Sequence, residues 1–155
     1  MLELKKFEKT GNQYVLKKQY GFGFVIVVAM AAVAIGCLWH GKYLIALVFL
    51  ILTILCAISV LYNSFIIDLD QKQFIVNNGL ITKTATIHFS DFVNFELYKI
   101  KQNFITTNVS LNMYYLKDNK EKSIEIAQGF LVSSMQKIIN EINDILELDG
   151  NSRKI

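Results

Sequence analysis

Two uncharged apolar runs, separated by only three residues, constrain this chain more than any other feature of its sequence. From Tyr20 to Trp39 twenty residues pass without a charge, and from Tyr43 to Ile67 twenty-five more follow, relieved only by mild polar groups such as Thr53, Ser59 and Asn63. Twenty helical residues rising about 1.5 Å each cover the roughly 30 Å hydrocarbon core of a bilayer. Both runs are therefore expected to span a membrane, over residues 20–39 and 43–62. A cleaved signal peptide is the rival reading of the first run, because Lys17 and Lys18 precede it. Glu3 and Glu8 upstream, an apolar stretch longer than a usual signal core and a second run directly behind it argue otherwise. Two core helices of a water-soluble protein fit no better, since the rest of the chain is too small to cover them.

The link between the runs is His40, Gly41 and Lys42, which implies a tight antiparallel hairpin with both chain ends on one side. The segment before the first run carries Lys5, Lys6, Lys9, Lys17 and Lys18, and the link carries one lysine. The positive-inside rule then places both ends in the cytoplasm. Trp39 and Tyr43 fall at the far interface, with Tyr20 and Tyr62 at the near one, where amphipathic rings are favoured.

Neither span contains Asp, Glu, Lys, Arg or His. Intramembrane ionisable groups mark ion and substrate paths, so a carrier or proton pump is not expected. Small residues suggest packing instead: Ala29, Ala32 and Gly36 share one helical face, and Ala46, Thr53 and Ala57 share another. These faces would close the hairpin or join two copies as a homodimer. Cys37 and Cys56 both lie inside the spans and read as small apolar residues, not as a disulfide or a zinc site.

The formal net charge of +3 is unevenly spread. Residues 1–19 hold five lysines against two glutamates, whereas residues 63–155 hold ten basic against eleven acidic side chains. Lys17 and Lys18 flank the first span and are expected to meet anionic headgroups of membrane lipids, each contributing about 1 kcal/mol. No basic face marks the remainder, so a nucleic-acid partner is not expected.

Past Asn63 the pattern changes to alternation with period two, the mark of half-buried strands. Phe65, Ile67 and Leu69 alternate with Ser64, Asp68 and Asp70, and Phe74 and Val76 follow a turn near Gln71 and Lys72. Ala85, Ile87 and Phe89 come next, then Val93, Phe95 and Leu97, then Val109, Leu111, Met113 and Tyr115, and last Ile124 and Ile126. Directly paired residues of an antiparallel ladder must point to the same face, which makes the turns testable. A two-residue loop at Asn78-Gly79 pairs Val76 with Ile81. A three-residue loop at Gln102 to Phe104 pairs Leu97 with Val109 and Phe95 with Leu111. An even-length loop from Asp118 to Glu121 pairs Tyr115 with Ile124. All three turns match apolar with apolar, which predicts a meandering antiparallel sheet. Leu131, Met135, Ile138, Ile142 and Ile145 then recur at helical spacing, predicting an amphipathic helix over 130–148 that Gly150 stops.

Two spans, then IIDLDQKQFIVNNGL (66–80), then TATIHFSDFVNFELY (84–98), then a final amphipathic helix together resemble the bacterial membrane-anchored pleckstrin-homology-like domain proteins. The resemblance implies an α+β chain: an N-terminal two-helix transmembrane hairpin, then a pleckstrin-homology-like antiparallel barrel or curled sheet of about six to seven strands, closed by the C-terminal helix. It divides the chain into a basic cytoplasmic segment (1–19), the hairpin (20–62), the domain (63–149) and a tail (150–155). It also implies the bacterial cytoplasmic membrane as the location. One departure stands out: the first hairpin loop, Asp70-Gln71-Lys72-Gln73, lacks the basic character that phosphoinositide-binding relatives use.

The residues for catalysis are few. His40 sits in the link, and His88 lies on an outer strand face near Ser90 and Asp91 without the convergence of separate elements that a triad needs. Gly21-Phe22-Gly23 lacks the third glycine of a dinucleotide fingerprint. Asp68/Asp70 and Glu121/Glu125 read as solvated strand ends, and no metal or cofactor is expected. Asn94, Glu96 and Tyr98 are expected to pair with Asn112, Ser110 and Asn108, with Tyr114 further along, forming a polar face suited to a protein partner. The leading expectation is a non-enzymatic membrane protein that recruits or scaffolds a partner at the cytoplasmic face. The alternative is an immunity protein against a membrane-acting toxin.

Overall fold

Apolar residues at every second position generate most of this structure, beginning earlier in the chain than its lysines suggest. The computed structural model describes residues 4–18, 21–79, 83–102, 105–148 and 150. Strands β1 (Phe7–Thr10) and β2 (Gln13–Leu16) come first, followed by helices α1 (Phe22–Trp39) and α2 (Tyr43–Tyr62). Strands β3 (Ser64–Asp68), β4 (Gln73–Asn77) and β5 (Ala85–His88) follow, then a short 3-10 turn at Phe89–Asp91. Strands β6 (Phe92–Gln102), β7 (Ile105–Lys117) and β8 (Lys120–Gly129) precede helix α3 (Val132–Leu148). The strands form two antiparallel sheets, one of five in the order β1-β2-β3-β4-β5 and one of three in the order β6-β7-β8.

This architecture corrects the expected fold in three respects. The helices are not amino-terminal: a β-hairpin turning at Gly11 (φ +65°) precedes them, and β2 pairs with β3 across them, Tyr14 opposite Ile67. Phe7, Tyr14 and Leu16 are buried, so the segment read as a basic tail belongs to the core. Next, α2 is the one helix among the described residues that is long and apolar enough to cross a membrane. The apolar part of α1, Gly23–Trp39, is shorter, covering about 26 Å against a core of roughly 30 Å. Gly21 explains the late start: a Cβ there would lie 2.7 Å from the Gln128 carbonyl oxygen, so the chain is held against β8 before the helix begins. Tyr20 lies outside the described residues. Finally, the meander is not one curled sheet: it divides at the 3-10 turn, and two sheets of five and three strands are not a clear pleckstrin-homology-like barrel.

The registers differ from expectation by even numbers of residues, which preserves facing. Val76 pairs with Ala85 and not with Ile81, itself outside the described residues, yet Phe74 still meets Ile87. Leu97 pairs with Leu111 and Phe95 with Met113, and Met113, not Tyr115, faces Ile124. Asp118 and Asn119, both at positive φ (55° and 58°), make the tight β7–β8 turn with Lys117 opposite Lys120. The expected loop at Gln102 to Phe104 tightens, with Gln102 opposite Ile105 and a register shift at Ile100/Lys101; Asn103 and Phe104 lie outside the described residues. A second irregularity between Phe92 and Asn94 buries Phe92 and leaves Val93 exposed, reversing its expected inward position.

Both sheets and α3 share one core. Phe65 stacks on Phe74 at 5.8 Å between ring centroids, and Phe74 meets Phe92 of the second sheet at 5.6 Å. Helix α3 buries Met135, Ile138, Ile142 and Ile145, while Leu131, expected inside, precedes the helix and stays exposed. The Glu141 carboxylate on α3 accepts the backbone N–H groups of Lys5, Lys6 (2.8 Å) and Phe7, tying the helix to the β1 edge.

Asp68 is not a solvated strand end. It is 4% exposed and accepts the Gln71 backbone N–H (3.0 Å) and the Gln13 side-chain amide (2.8 Å), while Asp70 accepts from Asn12 (2.8 Å). The two carboxylates thus join the β1–β2 turn to the β3–β4 turn. The Gln71 N–H is the largest influence on Asp68, and with Gln13 and the Asp70 N–H it outweighs desolvation and holds the carboxyl below its ordinary pKa.

Phe7→Ala lowers stability by about 3–5 kcal/mol in denaturant unfolding of the detergent-solubilised chain, whereas a loose tail would change it by less than about 0.5 kcal/mol. Since the folded pKa of Asp68 is depressed, its contribution is present above the unfolded carboxylate pKa and is lost as pH falls through the folded value. Asp68→Asn is therefore less stable at neutral pH by about 1–3 kcal/mol, and the gap from wild type closes in acid.

Candidate functional site

Helices α1 and α2 lie antiparallel beside each other and leave most of their apolar surface uncovered. Trp39 is 88% exposed and Leu44 79%, and Ile35, Leu38, Leu47 and Leu55 are also at least half exposed. Ala34 and Ala46, each 2% exposed, are the fully buried apolar side chains of the pair among the described residues. The covered stripe of α1 runs through Val27, Met30, Ala31, Ala34 and Cys37, and that of α2 through Ala46, Phe49, Thr53, Cys56 and Ala57. Of the expected packing residues, Ala46, Thr53, Ala57 and Gly36 are at least half-buried, but Ala29 and Ala32 face outward. One residue is a 100° step around a helix, so choosing the small residues one or two positions away rotates the predicted face out of contact. The Thr53 hydroxyl donates to the Phe49 carbonyl (2.7 Å), satisfying its polarity within the helix.

Both ends of this projection meet the sheets at one base. The Lys18 ammonium donates to the carbonyls of Leu61 and Asn63, the latter at 2.8 Å, and so caps the negative end of α2. The backbone N–H of Lys17 donates to the Lys6 carbonyl (2.8 Å), and the side chains of Lys17 and Lys18 are exposed. Tyr62 is exposed at the base, with Trp39 and Tyr43 exposed at the far end. Between the base of the helices and β8 lies a cavity of about 240 Å³.

On the outer face of the three-stranded sheet, Asn94 pairs with Tyr114, Glu96 with Asn112 and Tyr98 with Ser110. This corrects the expected pairing by two residues and brings Glu96, Tyr98, Asn112 and Tyr114 together, with Asn94 at their margin. The Tyr98 hydroxyl donates to Glu96 Oε2 (3.0 Å) and shares a hydrogen bond with the Tyr114 hydroxyl. That bond to Tyr98, then desolvation, then Glu96 raises the Tyr114 pKa well above the ordinary phenol value. Asn108 Oδ1 and Asn112 Oδ1 are buried acceptors without a hydrogen-bond donor among the described residues.

His88 ends β5 exposed to solvent, and the neighbouring Ser90 hydroxyl donates to Asp91 (3.2 Å). Among the described residues no group of three or more His, Cys, Asp or Glu stands close enough to hold a metal ion. Sequence reasoning missed the Glu141 clamp and the role of Gly21, because both depend on elements far apart in the chain. No protein-family model matches this chain, and no curated protein matches it at a significant level.

The tyrosine cluster is testable by alkaline spectrophotometric titration. Tyr98→Phe removes the principal cause of the Tyr114 shift, so Tyr114 is expected to ionise at lower pH than in wild type. An unchanged titration would mean the two hydroxyls do not share a bond in solution.

Proposed function

We propose that this protein is a membrane-anchored interaction protein without catalytic chemistry of its own. Its apolar projection lies in a lipid bilayer, with α2 supplying a length sufficient to cross. Its two-sheet domain stands at the cytoplasmic surface and offers the Glu96–Tyr98–Tyr114 face to a protein partner. One observation carries the reading: large apolar side chains are exposed from Phe24 to Trp39 of α1 and from Tyr43 to Leu55 of α2. Fully burying each such side chain is worth about 1.5–3 kcal/mol, and soluble monomers rarely expose contiguous apolar patches beyond a few hundred Å². A bilayer removes this penalty without a partner protein.

The orientation follows from charge. Lys5, Lys6, Lys9, Lys17 and Lys18 lie on the domain side, against Lys42 at the far turn. The partner face combines the amphipathic Tyr98, which is exposed, with the exposed Glu96 carboxylate, which suits a partner that presents apolar surface and hydrogen-bond donors.

Fractionation of cells expressing the full chain tests the anchor. The protein is expected to stay with membranes through an alkaline wash and to leave only in detergent. Recovery of a monodisperse chain from the soluble fraction would overturn the reading. For orientation, Lys42→Cys in a Cys37→Ala, Cys56→Ala background is expected to react with a membrane-impermeant maleimide added outside intact cells.

A further inference from the structure

The cavity at the base of the projection is built, not left over from a flexible link. Only Asn63 separates α2 from β3. Two close approaches at glycines, Gly21 in the lining and Gly79 next to the lining residue Asn78, hold its sides together. A Cβ on Gly21 would strike the Gln128 carbonyl oxygen at 2.7 Å, and one on Gly79 (φ +92°) would strike Ser59 Oγ at 2.5 Å. The Asn78 amide donates to the Glu125 carbonyl (2.8 Å), fixing the β4 end against β8. Helices and sheets therefore meet in direct contact, and the space they enclose has a defined shape.

The lining residues include several that can donate hydrogen bonds: Lys17 and Lys18, Ser59, and the amide residues Asn63 and Gln128. Glu125 is the acidic residue among the lining, and it is exposed. Lys18 is held in place by the carbonyls of Leu61 and Asn63, which keeps a positive charge at the rim. A phosphate diester offers only acceptors and negative charge, the complement of such a lining. Position adds the rest, since the cavity opens where the apolar surface of the helices gives way to the polar domain.

We infer that this cavity receives the phosphate headgroup of one anionic phospholipid from the leaflet beside the domain. The inference rests on the membrane reading above. A lipid seated there would link α1, α2 and β8 through a single headgroup and would set the height of the domain over the bilayer.

The test uses the full chain purified in neutral detergent, with retained phosphatidylglycerol counted by native mass spectrometry. Phosphatidylcholine and inorganic phosphate serve as competitors. One phosphatidylglycerol per chain is expected, with retention roughly tenfold weaker in the Lys17→Gln, Lys18→Gln pair. The Lys5→Gln, Lys9→Gln pair, equal in net charge and outside the cavity, is expected to retain lipid within about twofold of wild type. The single Lys17→Gln keeps the test decisive if loss of the α2 cap by Lys18→Gln prevents folding. Equal loss in both pairs would overturn the site in favour of diffuse surface attraction. Equal retention of phosphatidylcholine, or full displacement by inorganic phosphate, would overturn the lipid assignment. The alkaline wash of the same preparations separates these failures from failure of the anchor, because headgroup variants should stay in the membrane fraction.

Discussion

The backbone ladder between β2 and β3 is the constraint on which the rest of the molecule depends. Tyr14 sits opposite Ile67 and Gln13 opposite Asp68, so the chain leaves the sheet, runs out along α1, returns along α2 and re-enters beside its own starting strand. An excursion of that length carries a loop-closure cost that grows only slowly with length, and contact between the helices helps offset it. The Asp68 carboxylate reinforces the closure from the far end of the same strands, joining two turns that sequence places far apart. Every later element inherits its position from this closure, because β4, β5 and the second sheet follow from β3.

The closure also fixes how the apolar projection relates to the domain. Both helices enter and leave through adjacent strands, and Gly21 and Gly79 allow backbone to approach backbone and side chain closely. The projection and the sheets therefore meet in direct contact, with Asn63 alone between α2 and β3 in place of a long flexible linker. On the proposed reading, the outer face bearing Tyr98 and Tyr114 keeps a constant attitude to the bilayer. A fixed attitude reduces the orientational freedom that a partner must lose on docking, which favours association at a surface.

Much of this was legible in the sequence, and the failures have physical causes. Alternation identified Phe65, Ile67, Phe74 and Val76 as inward residues, and helical spacing identified Met135, Ile138, Ile142 and Ile145. Register errors of two or four residues left these assignments intact because facing repeats every second residue. Val93 was misplaced because a local irregularity inserts one residue, which no periodic reading anticipates. The first two strands escaped notice because five lysines dominate a segment whose structural information lies in Phe7, Tyr14 and Leu16. Of the candidate surfaces, the outer-face residues were found by parity, with partners displaced by two. The packing stripe was found in part, with Gly36, Ala46, Thr53 and Ala57 covered but Ala29 and Ala32 turned outward, since smallness alone does not say which side of a helix meets its neighbour.

Trp39 offers the most direct test of the central claim, being the only tryptophan in the chain and standing at the far end of α1 with 88% of its surface exposed. Its fluorescence in lipid vesicles carrying the full protein should be quenched by brominated phospholipids and protected from iodide added on the domain side. If iodide on that side quenches Trp39 as freely as it quenches tryptophan in water, and brominated lipids do not, the projection lies outside the bilayer and the account fails.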